Sequence, residues 1–172
     1  MTAPYTGGCQ CGSVRYAVTM EPIRLLACHC KECQRQSGSA FAMAMPVNKD
    51  SLTVTGLTKQ FTRMADSGNE VTGVFCPECG VRIYHVLKSA PDVVSIKPGT
   101  LDDTRWLRPD RFIWTKSAQG WVPVPEGVKA LEEQSKRVFL QASCGSPALK
   151  GDYHATHHQI CESRRAGGPR IH

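Results

Sequence analysis

The sequence predicts a mainly β domain of short, mostly antiparallel strands with short helices, and three observations predict it. Apolar and polar side chains alternate over short, β-branched stretches through about the first three-quarters of the chain. Glycine, proline and Asp/Asn/Ser turn-formers separate those stretches. Seven of the nine cysteines fall into three tight clusters, Cys9 with Cys11, Cys28 with Cys30 and Cys33, and Cys76 with Cys79. A chain of 172 residues is expected to form one domain and to bury about two-thirds of its surface on folding.

Taken in order, residues 13–19 alternate as a half-buried strand should. Similar runs follow at 41–47, 52–55, 60–63, 81–87, 93–97 and 112–114. The turn-formers between them are Gly7-Gly8, Gly56, residues 66–69, Pro91-Asp92, Pro98-Gly99 and residues 118–120. A short helix is expected over 31–37, ended by Gly38. Over 128–139, Val128, Leu131, Val138 and Phe139 share one helical face and Glu132, Glu133, Lys136 and Arg137 the other, which predicts a closing helix. Residues 141–172 lose apolar periodicity and gather Gly, Ser, His and Arg, and are read as a disordered tail behind a folded domain of residues 1–135.

Charge and termini narrow the function classes. The chain carries 21 Lys and Arg against 15 Asp and Glu, a net charge of +6. That excess suits an anionic small molecule as well as nucleic acid, and it forms no polybasic tract for a membrane surface. No apolar run approaches the roughly 20 residues needed to span a bilayer, and the N-terminus shows no secretory pattern, so a cytoplasmic protein is expected. In a reducing compartment, closely spaced cysteines read as metal ligands rather than disulfides.

The cysteine clusters carry the chemistry. In Phe75-Cys76-Pro77-Glu78-Cys79-Gly80, a Cys-x-x-Cys-Gly turn aims both sulfurs at one ion. The alternative, a redox dithiol, usually wants a helix N-terminus within a βαβ pattern, and strands surround this motif. Gly8-Cys9-Gln10-Cys11-Gly12 offers two more thiolates, too few alone, which complete a four-sulfur shell with Cys76 and Cys79, unless they serve only as small buried apolar groups. Cys28, Cys30 and Cys33 form a trio, either a second metal site or an unmetallated cluster, with His29 a strained choice of fourth ligand. Four thiolates close a tetrahedral zinc shell, whereas three leave one position for water or substrate. The expectation is therefore two zinc ions per chain, one holding the fold and one available to a thiol substrate.

Lys31, Arg35, Arg15, Arg63 and Lys97 are candidates to offset the trio's negative charge, or else ordinary surface cations. Asp102 and Asp103 are read as turn residues, and Tyr84 and His85 as neighbours of either zinc. His154, His157, His158 and Cys161 would align on a helical face, either as a third metal group or as part of a flexible segment.

Residues 7–16, Cys28-His29-Cys30 with Cys33, and residues 75–80 together resemble the glutathione-dependent formaldehyde-activating enzyme family, which also contains centromere protein V. Residues 97–103 and Trp121 are similar to its closing segment, so the resemblance covers about residues 5–130. It implies the antiparallel β-tent zinc-binding fold, with Cys9, Cys11, Cys76 and Cys79 on a structural zinc and Cys28, Cys30 and Cys33 on a catalytic zinc. The implied activity is that of a carbon–sulfur lyase of the S-(hydroxymethyl)glutathione synthase type, with glutathione and formaldehyde as partners and no membrane. The competing expectations are a non-catalytic zinc module that binds protein or nucleic acid, and a metal store. The basic residues are too dispersed for a nucleic-acid face, and nucleic acid is not the expected partner.

Overall fold

Alternation along Arg15–Val18 puts Tyr16 and Val18 inside and Arg15 outside, and this strand is the centre of the smaller of two sheets. The structure, a computed structural model, describes residues 2–134. These lie within the first of the two units into which the chain divides, Met1–Phe139 and Leu140–His172. The strands are β1 Tyr5–Gly8, β2 Arg15–Val18, β3 Leu26–Cys28, β4 Ala42–Asn48, β5 Leu52–Thr55, β6 Lys59–Met64, β7 Glu70–Phe75, β8 Arg82–Leu87, β9 Ala90–Ile96, β10 Arg111–Ile113 and β11 Lys129–Leu131. The helix α1, Lys31–Ser37, joins β3 to β4.

The smaller sheet has the order β1-β2-β5, and the larger has eight strands in the order β11-β10-β3-β4-β9-β8-β7-β6. Strand β4 is the hinge of the larger sheet: its first residues pair with β3 and its last with β9. An isolated bridge from Gly7 to Leu101 links β1 to the segment after β9. The β fold class is borne out, and so is the helix, which runs over the predicted residues and stops at Gly38 in the left-handed region.

Several expectations need correction. The segment 128–139 does not begin as a helix: Lys129–Leu131 is a strand, paired in parallel with β10, which also runs parallel to β3. Leu131 packs there against the cluster containing Leu26, Ile113 and Trp114, so tertiary pairing overrides the local periodicity. Residues 135–139 of that expected helix, the tail, and its His154, His157, His158 and Cys161 lie outside the described residues. Gly7 and Gly8 are not a turn but pair with Tyr16 and Arg15 in β1–β2. Pro91 and Asp92 sit within β9, where the register shift between Val86 and Leu87 leaves a bulge that tolerates proline. The turn falls instead at Lys88 and Ser89.

The main core gathers Tyr5, Tyr16 and Val18 from the small sheet, and Val14 from the turn before β2, with Met45, Val47, Ile83, Val94 and Ile96 from the large one. Cys9 and Cys76 are buried in that same cluster. Ile83 is fully buried (0% exposed) at its centre. Ile83→Ala is expected to cost about 3 kcal/mol from lost transfer energy and the cavity it leaves. Denaturant unfolding with zinc in excess checks this, and a loss under about 1 kcal/mol would mean the core collapses around the gap.

Candidate metal centres

Two hairpin turns, one from each sheet, present the first sulfur set. In the β1–β2 turn the Cys9 N–H donates to the Val14 carbonyl at 2.9 Å and the Gly12 N–H to the Cys9 carbonyl at 3.1 Å. The Val14 N–H donates back to the Cys9 sulfur at 3.2 Å. In the β7–β8 turn the Cys76 N–H donates to Val81 and the Gly80 N–H to Cys76, both at 3.0 Å. The Sγ atoms of Cys9, Cys11, Cys76 and Cys79 all lie within 4.8 Å of one another. Cys9 to Cys11 is 3.4 Å and Cys11 to Cys76 is 3.7 Å. A tetrahedron of sulfurs about 2.3 Å from zinc has edges of about 3.8 Å, so the donor set fits that ion in kind, number and spacing. Cys9 and Cys76 are buried, Cys79 partly so, and Cys11 is exposed. A cation here would tie together two sheets whose ligands are 65 residues apart in the chain.

The second set is local. Cys28 ends β3, Cys30 caps α1, and Cys33 lies in its first turn, where the Cys33 N–H donates to the Cys30 sulfur at 3.4 Å. These three sulfurs also lie within 4.8 Å of one another. They do not ionise independently. The sulfurs of Cys28 and Cys33 hold the Cys30 thiol well down, while Cys30 and then Cys33 push Cys28 up. Were all three ionised, a shared cation would offset their mutual repulsion, and three soft sulfurs fit zinc with one position left over. His29 is not in this cluster. It is 1% exposed, its ring packed between Phe41 (5.2 Å) and Phe112 (5.0 Å).

The trio opens onto a cavity of about 490 Å³. Arg63, Arg82, Lys97 and His85 line it together with Phe61 and Trp114. Trp114 holds a left-handed backbone conformation (φ 59°) at this wall, a strain of about 1 kcal/mol or more for a residue with a side chain. Burial draws the Lys97 ammonium and the Arg82 guanidinium down, with Cys33 opposing in both cases. His85 is only partly accessible, and burial followed by the charges of Lys97, Arg82 and Arg63 holds it neutral, well below the usual imidazole range.

Of the cations named from the sequence, Arg35, Arg63 and Lys97 line the cavity. Arg35 pairs with Glu32, which Arg63 approaches at 3.8 Å. Arg15 is elsewhere, bound to Asp102 at 2.6 Å, while Asp102 also accepts from Thr6 and Asp103 accepts from the Arg105 N–H. Lys31 is exposed and Tyr84 packs against the main core. Arg82 is the residue that spacing did not reveal. It reaches the cavity because β7 and β8 shift register between Val74 and Phe75, opposite Arg82.

Residues 4–117 match the profile of the family described as glutathione-dependent formaldehyde-activating enzyme. The chain belongs to that family. All seven clustered cysteines fall within the matched residues. A glutathione-dependent formaldehyde-activating enzyme, provisionally so named, from Penicillium rubens is 29% identical over 156 residues, covering 84% of this chain and 80% of its own. A Rhodobacter sphaeroides protein of known crystal structure is 22% identical, with a TM-score of 0.48 over 59% of this chain and 91% of its own. Among the described residues no helix is long and apolar enough to cross a membrane.

Proposed function

We propose that this formaldehyde-activating family member is a zinc-dependent carbon–sulfur lyase that adds the thiol of glutathione across the carbonyl of formaldehyde, with Cys28, Cys30 and Cys33 as the catalytic zinc ligands and Cys9, Cys11, Cys76 and Cys79 as the structural ones. The observation that carries it is the contrast between the two sulfur sets: four converge between two hairpin turns in the number a closed zinc shell needs, and three face a cavity large enough for a substrate. Zinc held by the trio would supply a Lewis acid that lowers the pKa of a thiol beside it.

In the reaction a sulfur–carbon bond forms, the carbonyl π pair takes up a proton, and the thiol proton is released. A thiol of pKa about 8.5 is roughly 3% ionised at pH 7. Complete ionisation is therefore worth at most about 30-fold, or about 2 kcal/mol. The rest of any acceleration falls to the chain's own side chains. Arg63, Arg82 and Lys97 make the cavity attractive to an anionic thiol, and Phe61 and Trp114 give it apolar wall on which the reactants can be held in place. His85 is an unsuitable place for the released proton, because burial and three neighbouring cations oppose its ionisation. The proton passes to solvent instead.

Metal analysis combined with exchange NMR tests this reading. Two zinc ions per chain and faster glutathione–formaldehyde adduct exchange are expected. A protein loaded with two ions that leaves the exchange rate at its uncatalysed value would overturn it.

A further inference from the structure

Arg82 and Gly73 share one space. A Cβ built on Gly73 would lie 1.7 Å from Nη1, 2.2 Å from Cζ and 2.8 Å from Nε of Arg82. Gly73 pairs in register with His85, and Arg82 with Phe75, so the Arg82 side chain runs back along the sheet to lie over the glycine. Any side chain at position 73 would push the guanidinium off this seat.

The seat is electrically unbalanced. Lys97 and Arg82 repel each other, yet neither has a carboxylate partner among the described residues. Arg63 shares Glu32 with Arg35. Three thiolates on a divalent ion carry one net negative charge, which is less than Arg82 and Lys97 bring. Glu32 and Asp66 also line the cavity, so with one net negative charge on a metal-bound trio its anions number three against the four cations Arg35, Arg63, Arg82 and Lys97. One positive charge is left over, and a guanidinium fork matches a carboxylate in shape as well as charge.

We propose that Arg82, seated over Gly73 with Lys97 nearby, is the specificity-determining clamp for a carboxylate of the substrate thiol. This rests on the reading of the trio as the thiol site. It assigns to Gly73 the role of a positioning residue, which acts by leaving room.

The test is calorimetric titration of the zinc-loaded full chain with glutathione and with glutathione diethyl ester, in which both carboxylates are blocked. Wild type is expected to prefer glutathione by about 10- to 100-fold, the range of a charged hydrogen bond. In Arg82→Gln the preference should fall to within about 3-fold while ester affinity holds, and Arg82→Lys should restore part of it. Gly73→Ala should reduce the preference with every charge still present. Its Cβ meets the far end of a flexible side chain, so the fold and metal content should survive. An Arg82→Gln protein that keeps the full preference, or a wild type that binds both thiols alike or neither, overturns the clamp. Adduct exchange measured on the same samples separates the two readings. Lost preference without accelerated exchange leaves the clamp standing and the lyase reading wrong, and accelerated exchange with preference intact does the reverse.

Discussion

Cys76→Ser is expected to unfold the domain. Cys76 is fully buried (0% exposed), lies in the main core, and is one of four sulfurs that bring a β1–β2 turn against a β7–β8 turn. A structural zinc contributes on the order of 10 kcal/mol of apparent folding energy, comparable with the roughly 5–15 kcal/mol net stability of a whole domain. Serine removes one thiolate and leaves a poorly matched hydroxyl in an apolar cluster, so both the ion and the packing around it suffer. Circular dichroism should show no cooperative melt near the wild-type temperature, and zinc content should fall below that of a Cys33→Ser control. A Cys76→Ser protein that melts within a few degrees of wild type at saturating zinc would show that the sheets hold without the closed shell.

The second large effect is the opposite in kind: Cys30→Ser should keep the fold and lose the chemistry. Serine is itself a favoured helix cap, so the contact now made by the Cys33 N–H to the residue 30 side chain can persist and α1 should remain. What disappears is one of three sulfurs facing the cavity. Loss of a ligand removes the thiol ionisation that the ion would supply, so adduct exchange should slow by about 30-fold. Expected with it is retention of one zinc ion per chain and a melting temperature close to wild type. Unchanged exchange in Cys30→Ser would remove the trio from the reaction.

Much of the fold was readable where one face of a strand meets the core and the other meets water. Arg15–Val18 shows that alternation, and so the strand was visible. Leu26–Cys28 is buried on every residue and only three long, so no period could mark it. Glu70–Phe75 is interrupted by Gly73, whose reason for being there is the guanidinium of a residue on the next strand. Lys129–Leu131 carries the beginnings of a helical stripe and becomes a strand only because β10 offers an edge in parallel. In the last two cases a distant partner, absent from the local pattern, outweighed local preference.

The same division applies to the site. Sulfur spacing of one to three residues is a local quantity, since a single turn must bend both ligands toward one ion; for that reason the three cysteine clusters could be read from the chain, whereas the meeting of Cys11 with Cys76 across 65 residues is decided by the fold. The cation balance of the cavity is not local. Arg82, Lys97, His85 and Arg63 meet the trio only through the pairing of β6 to β9 and one register shift. Which charges surround an open coordination site depends on strand order, and strand order is set by burial summed over the whole domain.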